Sequence, residues 1–320
     1  MSITSLVTKR SPVRDRLAAD FPRPRQSLKA EILVPSSGFA PGIVGTAYDY
    51  LLRFHLQRAM PFAISEQWVA ENALKSIGAL APHRKILVGE EWRYADLVEY
   101  RMERIICRSK RSLRTFLSGT RLSTRMIESA INLAHCDLYH RIRRLDKRFE
   151  KPLKRQVKEL RSLINATNLD QFTSAKLCLL NPSFGEGSVM FGGADADLLI
   201  DDLLIDVKTS ATLRVRVEDW RQLICYAALN RRFPIGGGNR ARSIKHIGIY
   251  FARYDYLVRW PLRKVVDSAI FSSFAAWLSD YGTNSYADKL DRRAKLFRSR
   301  ADRYARRLED EADLLRSRAR

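Results

Sequence analysis

The stretch with the most chemical content is Phe191-Gly192-Gly193-Ala194-Asp195-Ala196-Asp197-Leu198-Leu199-Ile200-Asp201-Asp202-Leu203-Leu204-Ile205-Asp206-Val207-Lys208. Two apolar runs flank Asp201-Asp202, which predicts a two-residue hairpin turn. With that turn, Ile200 faces Leu203, Leu199 faces Leu204, Leu198 faces Ile205, Asp197 faces Asp206, and Asp195 lies opposite Lys208. Strand side chains alternate, so Asp195, Asp197, Asp206 and Lys208 project from one face. Directly opposed carboxylates, with Cα atoms about 4.5–5.5 Å apart, repel each other on otherwise apolar strands. A divalent cation removes that conflict, because Mg2+ takes hard oxygen ligands. Lys208 would then orient an attacking water or steady charge developing on a phosphate. A polar hairpin face simply turned to water explains the pattern less well, because Leu199 and Leu204 share that face.

Two helical runs must position these groups. The pattern over about 217–230 places Gln222 and Tyr226 four apart on one face. Another run, Tyr48 to Leu56, follows Gly45-Thr46-Ala47 and carries Asp49 near its start. Asp197, eight intervening residues, Asp206-Val207-Lys208 and then Gln222-x-x-x-Tyr226 together resemble the core of the PD-(D/E)xK nuclease superfamily, in its RecB-like branch. Gly45-Thr46-Ala47-Tyr48-Asp49 is similar to the G-T-x-x-H motif of that branch, with Asp49 standing where the family has His. The resemblance implies a restriction-endonuclease-like mixed sheet and Mg2+-dependent hydrolysis of DNA phosphodiesters, with RNA left open. It implies Asp197, Asp206 and Asp49 as ligands of Mg2+ (or Mn2+ in its place), with the Val207 carbonyl as a further ligand. Lys208 would be catalytic, and Gln222 and Tyr226 would contact the nucleic acid. Family analogy alone points to defence against foreign DNA or to repair. A carboxylate at position 49 still suits Mg2+, whereas the plain alternative is a polar residue in the first turn of a helix.

This chain departs from the family at Ala196, where Pro is usual, and has no three-cysteine cluster after Tyr226 and no Walker motif. An iron–sulfur clasp is therefore unsupported and a fused helicase is excluded. The resemblance covers roughly residues 176–256 and 43–57. The main rival reading is a nucleic-acid-binding or assembly subunit that keeps the fold without cleaving.

Charge supplies the second argument. The 320 residues carry 57 Lys and Arg against 35 Asp and Glu, a formal charge of +22. Residues 100–161 hold 18 basic and 6 acidic residues, so +12 of the total lies there. Apolar residues at three- and four-residue spacing make that segment helical, with Gly119 dividing two runs and Ser123 or Thr124 capping the second. Such a cationic helical surface would track phosphates, with Arg141, Arg143, Arg144, Lys147 and Arg148 as candidate contacts. Asp137 and Arg141, four apart, read as a helix ion pair.

Hydrophobic residues at 46% exclude a wholly disordered basic protein. The chain shows neither a membrane-spanning run nor a secretory signal. Four cysteines without a CxxC pair suit free thiols in a reducing cytoplasm. The Gly236-Gly237-Gly238 run lacks the Lys-Ser/Thr ending of a phosphate loop and reads as a connection between a helix and a strand.

The expected architecture is α/β. Residues 1–175 form a basic, mainly helical region, with the 43–57 helix belonging to the nuclease core. Residues 176–260 form that core, through the 188–192 segment, the hairpin 194–209, the 217–230 helix and a strand near 247–252. Residues 261–320 are helical. Within them Leu290, Phe297 and Tyr304, and Ala294, Ala301, Leu308 and Leu315, fall seven apart in a short seam that Glu311 interrupts. Packing of this helix on its own chain is the expectation, with joining a second copy or a helper protein as the alternative.

Overall fold

The structure, a computed structural model, describes residues 2–81 and 83–318, without the side chains of 312–315, 317 and 318. Its elements are α1 (Ile3–Thr8), α2 (Pro12–Asp20), α3 (Pro41–Ala59), β1 (Ile64–Ser65), α4 (Val69–Gly78), β2 (Lys85–Val88) and β3 (Glu91–Tyr94). They continue with α5 (Ala95–Leu117), α6 (Thr124–Ile142), α7 (Lys154–Ala166), β4 (Cys178–Leu180), α8 (Glu186–Met190), β5 (Leu198–Ile200) and β6 (Leu203–Lys208). The last are α9 (Val217–Arg232), β7 (His246–Phe251), β8 (Tyr256–Pro261), α10 (Leu262–Val265) and α11 (Ser268–Arg318). The fold is mixed α/β, around a six-stranded sheet of order β1-β4-β5-β6-β7-β8. The β1–β4 and β6–β7 pairs are parallel and the other pairs antiparallel.

The hairpin register is as its sequence pattern predicts: Leu198 pairs with Ile205, Leu199 with Leu204 and Ile200 with Leu203. Its strands are apolar on both faces because helices cover both. Leu199 and Leu204 pack with α9 residues Trp220, Leu223 and Ile224, and with α1 and α2. Leu198, Ile200 and Ile205 pack into the cluster built from α3 to α7. Burial on two sides gives continuous apolar runs instead of alternation. Both clusters draw on residues before and after position 176.

The turn is held from outside the hairpin. Asp201, at φ +50°, accepts the backbone N–H groups of Ala175, Lys176 and Leu177 at 2.9–3.1 Å, and the Ser174 hydroxyl at 2.9 Å. Those N–H groups, Ala175 first, pull its pKa down to about 2. The turn is thereby tied to the segment entering β4.

Within the expected core, the 188–192 segment is the end of α8 and a turn, and the strand beside β5 is β4, whose three residues, Cys178–Leu180, are too few to show a period. Two expectations need correction. The 100–161 segment is three helices, and α6 ends where Arg143 adopts φ +57°, so Arg143 to Arg148 lie beyond it. Ser123 does cap α6, accepting the Met126 N–H at 3.2 Å.

Second, only the start of α11 packs on the body, through Phe271, Phe274 and Leu278. From residue 287 the described side chains are exposed, with Phe297 and Tyr304 each 65% accessible. A stripe of one residue every three or four suffices for a two-helix seam but is narrower than the face a helix buries in a core. The seam's last member, Leu315, lies outside the described side chains. No helix among the described residues is long and apolar enough to cross a membrane.

Candidate active site

The N-terminal half of α3 and the end of β6 meet over a pocket of about 560 Å3, lined by Asp49, Asp197, Asp206, Lys208, Arg141 and Gln222 among others. Gly45 permits the approach: a Cβ there would sit 2.9 Å from Thr209 Oγ1, just past β6. Asp49 follows one helical turn later. At the start of α3, Ala40 occupies the N-cap position at φ +42° and offers no side-chain acceptor. Pro41, Gly42 and Ile43 line the pocket, so an uncapped helix N-terminus, favourable to anions, opens on it.

Asp197 does not extend the hairpin ladder. Its main-chain oxygen accepts the Asn181 N–H at 2.8 Å, and its carboxylate accepts the Val207 N–H at 2.6 Å. The side chain thus takes the place of a ladder bond and lies against Asp206-Val207. Asp195, predicted opposite Lys208, instead bridges to Ser183 and lines a neighbouring hollow with Glu66 and His140.

The acids are held in a state unfavourable to them. Burial, then the Asp49 carboxylate, raises Asp197 to about 6. Burial raises Asp206 to about 7, with Asp197 and Asp219 adding repulsion and Lys208 opposing it. Burial also raises Asp49, against the attraction of Arg53. Arg53 is itself buried, donates to Asp49 Oδ2 at 2.5 Å and lies 4.4 Å from the Tyr50 ring centroid. One oxygen of each of two acids, Asp49 Oδ1 and Asp206 Oδ2, is buried without a hydrogen bond.

Lys208 Nζ lies 2.7 Å from Asp206 Oδ2 in a charge contact that lacks hydrogen-bond alignment, and 3.4 Å from Asp219 Oδ1. Burial works to lower its pKa, but Asp206, Asp219 and Asp197 together raise it, so the ammonium is retained. Asp219 is buried and also takes two bonds from Arg216, at 2.8 and 2.9 Å. Sequence reasoning missed Asp219, Arg53 and Arg216. The available signal was spacing: Asp49–Arg53 is an i,i+4 pair and Arg216–Asp219 an i,i+3 pair on helices already identified.

Gln222 and Tyr226 share a face as predicted, and Gln222 Nε2 donates to Tyr226 Oη at 2.9 Å. Only Gln222 lines the pocket. Tyr226 is buried behind it against Phe184, where it orients Gln222. Arg141 also lines the pocket, with its guanidinium 3.9 Å from Asp137. Arg143, Arg144, Lys147 and Arg148 do not line it. Arg143 stacks on Tyr139 and Arg148 on Phe39.

The donor set offers a hard divalent cation oxygen ligands only, with Asp49 Oδ1 buried without a hydrogen bond and Asp206 Oδ2 met only by the Lys208 ammonium. No group of three or more His, Cys, Asp or Glu side chains stands at metal-holding separation among the described residues. The carboxylates share a pocket without meeting at a common point. Comparison with known family profiles, curated proteins and solved structures yields no match.

Proposed function

We propose that the chain is a Mg2+-dependent nuclease hydrolysing DNA phosphodiester bonds on a restriction-endonuclease-like core. The observation carrying this reading is that Asp49, Asp197, Asp206 and Lys208 line one pocket, with Asp49 Oδ1 buried without a hydrogen bond and Asp206 Oδ2 met only by the Lys208 ammonium. Asp197, Asp206 and Asp49 would hold the ion, which when bound polarises the scissile phosphate and acidifies water. The Lys208 ammonium, fixed between Asp206 and Asp219, orients the attacking water and offsets charge developing on the phosphate. Arg141 and the N-terminus of α3 attract the phosphate into the pocket, and Gln222, steadied by Tyr226, contacts the strand.

The test is cleavage of labelled linear and circular DNA with Mg2+ or Mn2+. Wild type cuts, while Asp206→Asn and Lys208→Ala proteins of normal fold do not. Equal cleavage by either variant refutes the assignment. One observation favours a non-cleaving, nucleic-acid-binding subunit instead: Asp49, the third acid, is held by Arg53. Calorimetric titration separates the two readings, because a pure binder takes up no Mg2+ or Mn2+ that depends on Asp206.

A further inference from the structure

Four arginines surround a second hollow, of about 260 Å3, between the end of α5 and the start of α6. Arg108 and Arg111 come from α5, Arg121 from the connecting loop and Arg125 from α6. No Asp or Glu lines it. Among the described residues, none of the four guanidinium groups takes part in an ion pair, a hydrogen bond or a ring contact. Arg53, Arg216 and Arg253, by contrast, each hold a carboxylate.

The floor of the hollow is built from outside. Arg58 of α3 donates to the carbonyls of Thr120 at 2.6 Å and Gly119 at 3.1 Å, and stacks on Phe116. Arg161 of α7 donates to the Leu122 carbonyl at 3.3 Å and Thr124 Oγ1 at 2.9 Å. Thr120 and Ser118 both return hydroxyl bonds to the Thr115 carbonyl. Two arginines are therefore committed to fixing the loop, and four are left facing a shaped space.

Four cations at one hollow repel one another unless an anion with several acceptor oxygens joins them. Guanidinium forks match the tetrahedral oxygens of phosphate, and the N-terminus of α6 adds the positive end of its dipole. We propose that this hollow is a phosphate-binding site occupied by the backbone of the nucleic acid at a distance from the cut. The identity of that occupant rests on the proposed nuclease reading. The geometry of the hollow does not. Arg125 and Arg141 are 16 residues apart on α6, about 24 Å along its axis and roughly 160° apart around it. A duplex rising about 3.4 Å per base pair therefore needs at least about seven base pairs to reach from the pocket to the hollow.

The test is Arg111→Gln/Arg121→Gln/Arg125→Gln in the full chain, its fold checked by thermal melting. Fluorescence anisotropy in EDTA compares a 20-base-pair duplex with a 6-base-pair hairpin, numbers chosen to straddle roughly that span. The expected result is a loss of affinity for the long duplex of about tenfold or more, and a salt slope shallower by about 3. The hairpin is unaffected. Unchanged affinity for the long duplex, with inorganic phosphate binding lost in calorimetry, would mean a free-phosphate site and overturn the backbone assignment. No change with either probe would overturn the site. Because all binding is measured without metal, failure of wild type to cleave would count against the nuclease reading alone.

Discussion

Replacing Asp206 by Asn should raise the stability of the metal-free protein while abolishing cleavage. In the fold, burial lifts the Asp206 carboxyl from 3.8 to about 7. Each unit corresponds to about 1.4 kcal/mol, so keeping it ionised above pH 7 costs at most about 4 kcal/mol. That figure already includes the attraction of Lys208. Asn has the same shape without the charge, and Lys208 keeps Asp219 as partner at 3.4 Å. The expected gain is about 2–4 kcal/mol, or roughly 3–6 °C in melting temperature for a chain of this length. The sign of the pH dependence follows from linkage: the folded acid binds its proton more tightly than the unfolded one, so wild-type stability falls as pH rises from about 4 to 7. The gap between the proteins should therefore be near zero below pH 4, grow to about pH 7 and stay flat above. Thermal melts in EDTA from pH 4 to 8.5 measure it. Added Mg2+ should raise the wild-type melting temperature and leave the variant where it is. An Asp206→Asn protein less stable than wild type at pH 8, or a gap that does not vary with pH, would refute the assignment of Asp206 as a strained, ion-seeking carboxylate.

Two further outcomes test the frame around the site. Arg253, 1% exposed, donates to the Thr209 carbonyl, the Val34 carbonyl and Glu159 Oε1. Arg253→Met leaves Glu159 buried without its cation and should cost about 3–5 kcal/mol in denaturant unfolding, much of it recovered in the Arg253→Met/Glu159→Gln double variant. Removing residues 288–320 should leave the melting temperature and cleavage unchanged, because the described side chains there do not pack on the body. A fall in native mass from that of two chains to that of one on this truncation, read by light scattering, would identify the α11 seam as the surface that joins a second copy.

What was legible in the sequence was what local rules control. The hairpin register follows from a two-residue turn between apolar runs, and the Gln222–Tyr226 pairing from helical spacing. The role of Asp197 was only half legible. Its place beside Asp206 could be read from the register, but its capture of the Val207 N–H depends on the ladder ending at Leu198, where Asn181 takes its main-chain oxygen. The Asp201 anchor was hidden for a similar reason: its partners, Ala175 to Leu177, precede it by more than twenty residues. By sequence alone Asp219 is one more acid in the first turn of a helix. It joins the site because β6 and α9 pack so that Lys208 falls between it and Asp206.

That placement changes the electrostatic account of the protein. Around the pocket, Asp49, Asp197, Asp206, Asp219 and Asp137 stand against Lys208, Arg53, Arg216 and Arg141, which leaves at most one net negative charge in a chain of +22. A site so nearly balanced would bind a divalent ion by itself, but only weakly, and would not repel a polyanion. Raised carboxyl pKa values at Asp197 and Asp206 point the same way: protonation competes with the ion for the same oxygens. Ion uptake should therefore be cooperative with substrate, because an incoming phosphate adds the negative charge that the carboxylates, held by burial and by their own arginines, do not fully supply. The chain's excess positive charge would deliver that phosphate, so binding should be strongly salt-dependent even though the chemistry occurs at a nearly neutral centre.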